Sequence, residues 1–178
     1  MSEAVIAAVG LMLSEMMHER FSADLVGAAK GSCEAMIRRE GQMETGIIFF
    51  VNDKEAGFIH FPQYAPDSPE APALVEFIRG LLKDHRAHSY AKCAEVWYRV
   101  GGNKMLQDGR SAGQYPDRKE AVALVGEAGG RPVAHVFEML RDEAGNFLGL
   151  GDDIVAQEGG KFTAFGLWTD LLGSEVRH

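Results

Sequence analysis

Glu120-Ala-Val-Ala-Leu-Val-Gly-Glu-Ala128, Gly129-Gly130 and Arg131-Pro-Val-Ala-His-Val-Phe-Glu-Met-Leu140 form one continuous stretch of the chain. Two β-rich runs flank a glycine pair, and glycine reaches the positive φ that a tight hairpin turn needs. A two-residue turn at Gly129-Gly130 then sets the register. Val122, Leu124 and Gly126 share one face with Val133, His135, Phe137 and Met139, while Ala121, Ala123 and Val125 share the other with Ala134, Val136 and Glu138. Both faces are largely apolar, so this part of the sheet is expected to carry cover on both sides.

Strands continue on either side of the hairpin. Residues 89–100 and 147–150 read as β, with Asp142-Glu-Ala-Gly-Asn146 as a turn. Further back, Gly46-Ile-Ile-Phe-Phe-Val51 has the continuous apolar character of a strand covered on both faces. Asn52-Asp-Lys-Glu55 turns it into a returning strand over 56–61. Leu74, Phe77, Ile78, Leu81 and Leu82 form an amphipathic stripe that predicts a helix over 69–86, with Ser68 as cap and Pro69 at its first position. A helix from Ser22 to the region of Gly41 follows from Leu25, Ala29, Cys33, Met36 and Ile37, with Phe21 and Val26 spaced as a hydrophobic staple. Arg38 and Arg39 suit its C-terminal dipole. Gly27 and Gly31 weaken it by about 1 kcal/mol each, which points to a close-packed neighbour. At the N-terminus, Val5, Ile6, Val9, Met12, Leu13 and Met16 predict another helix, capped by Ser2. At the C-terminal end the sequence fits either a pair of strands flanking Gly159-Gly160 or a helix over 161–172. The order is α-α-β-β-α-β-β-β-β, and helices that do not alternate with strands indicate a single α+β domain over 1–178 with an antiparallel sheet.

Composition narrows the function classes. The 178 residues are 46% hydrophobic and 25% charged, ordinary for a soluble globular chain. The net charge of −8 argues against a large phosphate-binding face, so no nucleic-acid partner is expected. The apolar run over 4–13 is too short to span a bilayer and lacks a basic leader, so no membrane segment or secretory signal is expected either. Cys33 and Cys93 form no zinc or dithiol motif; as small buried hydrophobes they suit a reducing cytoplasm.

No pattern for a nucleophile, phosphate loop, cofactor or metal stands out. His60, His85, His88 and His135 stand at no metal-ligand spacing, and His135 reads as a hydrogen-bonded core histidine. His85 and His88 read as partners of a helix C-terminus. Asp152-Asp153 reads as a turn, since the regularly spaced oxygen ligands of a calcium loop are missing. The polar, Gly-rich stretch over 101–118 is long enough to suggest a functional or mobile loop.

Glu95 and Glu138 draw attention because each falls among small or apolar neighbours on its strand. Such a carboxylate must find a partner or raise its pKa. Arg118, Arg131 and Arg141 are the available cations. One reading makes the two glutamates an acid–base or metal-binding pair, with Asp117 or Glu120 nearby. The other makes them ion-paired or edge residues that fix register. Nothing in the sequence shows that the two meet, which favours the second.

Ala94-Glu95-Val96-Trp97, Tyr115-Pro116-Asp117-Arg118-Lys119-Glu120-Ala121-Val122 and Phe137-Glu138-Met139-Leu140-Arg141-Asp142 resemble segments of a group of uncharacterised bacterial and phage-associated proteins. The likeness covers about a third of the chain and implies no activity. It marks Glu95, Arg118, Glu120, Glu138 and Arg141 as a candidate charged cluster. The expectation is a non-catalytic cytoplasmic protein that assembles with itself, as a homodimer or other homo-oligomer, or with a protein partner. The alternative is a small enzyme or ligand-binding protein using that cluster beneath the 101–118 loop.

Overall fold

A computed structural model describes residues 10–15, 25–52, 55–61, 68–98, 112–128, 131–154 and 171–172. Over these residues the fold is α+β, with seven antiparallel strands and two helices. In chain order these are β1 (Gly10–Glu15), α1 (Leu25–Glu40), β2 (Gly46–Asn52), β3 (Glu55–His60), α2 (Ala71–Asp84), β4 (Ser89–Tyr98), β5 (Lys119–Ala128), β6 (Arg131–Arg141) and β7 (Phe147–Asp153). The sheet order is β1-β3-β2-β4-β5-β6-β7.

β4 to β7 form a meander of neighbouring antiparallel strands, as expected. In the hairpin, Ala128 pairs with Arg131, and Leu124 faces His135. The two glycines of the turn lie outside the described residues, yet this pairing leaves only a two-residue connection. At the next turn Asp142 Oδ1 accepts the backbone N–H groups of Ala144 and Asn146, and Gly145 takes a φ of 86°.

The first expected helix is corrected over residues 10–15, which are a strand on β3 with Gly10 opposite His60 and Glu15 opposite Glu55. A continuous apolar run satisfies either periodicity, and here a free strand edge supplies backbone partners that an isolated helix would not need. Residues 2–9 lie outside the described residues, as do Ser22, Phe21 and most of 159–172.

Two crossovers explain where the helices sit. β1 and β2 run parallel with β3 between them, joined through α1. β3 and β4 run parallel with β2 between them, joined through α2. Both crossovers step the same way along the sheet but start from strands running in opposite directions. Crossovers of one hand therefore place their helices on opposite faces. The core divides accordingly. Ile48, Phe50, Ala91, Cys93, Val122, Leu124, Phe137 and Met139 pack with Leu25, Ala28, Ala29, Cys33 and Ile37 of α1. Ile47, Phe49, Ile59 and Tyr90 pack with Leu74, Val75, Ile78 and Leu82 of α2. The two-faced burial expected of β2 is thus observed, residue by residue.

α1 reaches across to the edge strand. Lys30, Glu34 and Arg38, four residues apart, form one stripe along it. Lys30 Nζ donates to the Gly151 carbonyl at 2.8 Å, Glu34 Oε1 accepts the Leu150 N–H at 2.9 Å, and Arg38 Nη2 donates to the Leu148 carbonyl at 2.6 Å. An edge strand exposes backbone groups that invite another chain, and covering them with side chains is one way to prevent that. Arg38 thus bonds β7 rather than serving only the helix end. A Cβ added at Gly31 would meet nothing within 4 Å, so no close neighbour among the described residues requires glycine at that position. α2 begins at Ala71, two residues later than expected, because Glu70 occupies the cap position and the Ser68 hydroxyl bonds the Glu70 carboxylate.

Candidate functional site

β4 carries Cys93, Glu95 and Trp97 on the α1 face, and β5 places Val122 opposite Glu95 and Glu120 opposite Trp97. α1 ends at Glu40, with Gly41 at φ 77° turning the chain. Beyond that end the described residues leave a cleft of about 400 Å³, lined by Glu95, Val96, Trp97, Glu120 and Met139.

Each charged group around the cleft has a definite partner. Glu95 Oε1 accepts the Met43 N–H at 2.6 Å, so this carboxylate fastens the α1–β2 connection to β4. Arg141 Nε donates to Glu120 Oε2 at 2.6 Å, and its Nη1 donates to the Gly145 carbonyl at 3.2 Å. Arg141 therefore joins β5 to the β6–β7 turn. The Arg118 guanidinium lies 4.5 Å from the centroid of the Trp97 ring, within cation–π range. The 3₁₀ turn Ala112–Gln114 brings Gly113 against the same indole, where an added Cβ would stand 3.3 Å from Trp97 Cδ1. Trp97 is nevertheless 46% exposed, the largest aromatic surface among the exposed hydrophobic residues described.

The expected cluster is thus corrected in one member. Glu95, Arg118, Glu120 and Arg141 border this one region, but Glu138 lies opposite Ala121 on the other face of the sheet. There Lys119 Nζ donates to Glu138 Oε1 at 2.8 Å. Glu95 and Glu138 therefore cannot act as a pair across the sheet. The hairpin register is the expected one; the parity of β4 relative to β5 is what the sequence lacks. Arg131 is an exposed residue at the start of β6, and Asp117 lies in the turn leading into β5.

Lys119 holds the Glu138 carboxyl below the usual 4.5, by hydrogen bonding first, against an opposing effect of burial. Burial, with Glu138 second, raises the Tyr98 hydroxyl. A depressed carboxylate contributes stability that is complete above its ordinary pKa and is lost as pH falls through the lowered value. The pair is substantially exposed, so screening limits its worth to about 0.5 kcal/mol. Glu138→Gln is expected to cost about that much near neutral pH and nothing at about pH 2, a difference that paired urea melts would resolve.

A second polar site pairs His135 with Asp153, a pairing that the sequence does not indicate. His135 Nδ1 lies 2.7 Å from Asp153 Oδ2, while Asp153 Oδ1 accepts the Val136 N–H at 3.2 Å. His135 is hydrogen-bonded, as expected, but half-buried rather than in the core. Asp153, expected in a turn, ends β7 instead. His85 and His88 lie against the rings of Phe49 and Phe50 respectively.

No family model, curated protein or solved structure matches this chain. Among the described residues, no group of three or more His, Cys, Asp or Glu is arranged to hold a metal ion. Among the same residues, no helix is long and apolar enough to cross a membrane.

Proposed function

We propose that this protein is a non-catalytic binding protein that engages a protein partner through the cleft at Trp97, the partner contributing a basic side chain. The half-exposed Trp97 beside Glu95 and Glu120 carries this reading. An indole with neighbouring carboxylates is the environment that an ammonium or guanidinium group seeks; Arg118 already lies over this ring, so the partner's cation takes the surface of Trp97 that stays exposed. The net charge of −8 adds long-range attraction for a basic partner. Against acid–base catalysis, Glu95 is tied to a backbone N–H and Glu120 to Arg141.

A small ligand is the second reading, favoured by a cleft volume of about 400 Å³, within the range typical of small-molecule sites. Self-association draws on the two-sided apolar strands and on a Met-rich N-terminal helix, and residues 10–15 of that helix are a strand instead. It is retained as a proposal that light scattering during the titration below would register. A phage or mobile-element setting rests on the sequence resemblance alone.

The test uses Trp97 as its own reporter. In a Trp168→Phe background, Lys- and Arg-rich peptides are expected to change Trp97 fluorescence, and matched acidic peptides are not. The joint change Glu95→Gln with Glu120→Gln should weaken binding by about 10-fold or more, and Trp97→Ala, followed by calorimetry, by a similar factor. Equal responses to basic and acidic peptides would defeat the proposal, and response to an uncharged small molecule alone would favour the second reading.

A further inference from the structure

The Trp97 ring carries a cation of the protein's own at the border of the cleft, the Arg118 guanidinium 4.5 Å from its centroid. The turn leading into β5 holds that group in place. The Arg118 backbone N–H donates to the Tyr115 carbonyl at 3.3 Å, and Nη1 donates to the same carbonyl at 3.5 Å, the limit of a hydrogen bond. Tyr115 is buried, so this anchor belongs to the fold. Among the described residues no carboxylate pairs with Arg118. The neighbouring cations are committed elsewhere: Arg141 to Glu120 and the Gly145 carbonyl, Lys119 to Glu138 on the other face of the sheet.

A cation–π contact attracts the charge of a guanidinium but consumes none of its N–H donors. Apart from the long bond to Tyr115, the Arg118 donors have no protein acceptor among the described residues. Held by ring and turn, the planar group keeps its fork for a carboxylate, which arginine binds through two parallel N–H···O bonds. Ordering it in advance lowers the entropy that a ligand must overcome. Around the same indole the opposite charge is also present, since Glu95 and Glu120 line the cleft with Trp97. A purely basic partner meets Arg118 as a like charge, and a purely acidic one meets Glu95 and Glu120. Each mismatch selects against that partner.

We propose that the partner segment is amphoteric, with an aspartate or glutamate close in sequence to its basic residue, and that Arg118 binds this carboxylate while the cation takes the exposed surface of Trp97 beside Glu95 and Glu120. This inference rests on the reading of the cleft as a site for a basic side chain. It makes Arg118 the residue that selects among basic partners. A carboxylate is favoured over a phosphate because the net charge of −8 penalises a group close to two negative charges more than a single one.

The experiment uses the full chain and arginine-containing peptides blocked at both ends, with glutamate or glutamine placed one, two or three positions from the arginine. By calorimetry, the glutamate peptide of at least one spacing should bind about 5-fold more tightly than its glutamine twin. Arg118→Gln should bring that ratio to about 1, and Arg118→Glu should move the preference to peptides with lysine in the glutamate position. Arg118→Lys keeps the charge but loses the fork, and should give an intermediate ratio. The ratio is read within each protein, so a general loss of affinity does not imitate the effect, and the wild-type comparison stands even if a variant fails to fold. Equal binding of glutamate and glutamine peptides at every spacing would overturn this inference and leave the cleft reading in place. Binding of neither would defeat the cleft reading, and this inference with it. A glutamate advantage that survives in Arg118→Gln would remove Arg118 from the role, and tighter binding of phosphoserine than of glutamate would overturn the choice of a carboxylate.

Discussion

Gly126→Ala is expected to destabilise the protein by about 3 kcal/mol, a large effect for one methyl group. Gly126 pairs with Ala91 in the centre of the sheet. A Cβ there would stand 1.9 Å from the Tyr90 carbonyl oxygen and 2.7 Å from the Ala91 Cα. Those atoms are backbone, so no rotamer change relieves the clash. β4 and β5 would have to separate or twist, disturbing hydrogen bonds in the middle of the sheet. Gly31→Ala is the internal control: it sits on the open side of α1, where the same methyl meets nothing. It should stabilise by about 0.5–1 kcal/mol through helix propensity alone. Denaturant midpoints for the two variants should move in opposite directions, and a shared direction would show that the β4–β5 contact is not as close as described.

Phe49→Ala is expected to cost about 4 kcal/mol, at the upper end of core truncations. Phe49 is fully buried between β2 and α2. It stands opposite Gly57, and an added Cβ at Gly57 would lie 2.2 Å from the Phe49 ring. The ring therefore fills the space that a side chain on β3 would have taken. When it is removed, glycine contributes nothing to collapse into the gap, so the cavity persists and its cost is felt in full. Phe49→Leu should recover more than half of the loss. Equal destabilisation by both variants, measured in urea, would indicate that ring shape rather than filled volume is what β3 requires.

The candidate site is legible in the sequence only in part. The hairpin of β5 and β6 can be read from residues 120–141 because a two-residue turn transmits face assignment from one strand to the next without loss. β4 joins β5 through a long connection, and such a loop passes on no parity. Whether Glu95 shares a face with Glu120 or with Glu138 is settled by the pairing of Glu95 with Val122. Four of the five charged residues singled out from the sequence border the Trp97 region, while Glu138 serves the opposite face with Lys119. The partner of Glu95 is not legible, since a backbone N–H such as that of Met43 carries no residue-specific signature.

Local pattern is sufficient for the amphipathic stripe of α2, the two-sided burial of β2 and the antiparallel α+β character, because periodicity and turn chemistry act over a few neighbouring residues. It is insufficient for β1, whose apolar run fits either a helix or a strand until β3 offers it backbone partners. The opposite placement of α1 and α2, the clamp of Lys30, Glu34 and Arg38 on β7, and the bond of Glu95 to Met43 each join segments distant in sequence. Such contacts arise from strand order and crossover hand, which are properties of the assembled sheet and leave no local periodicity behind.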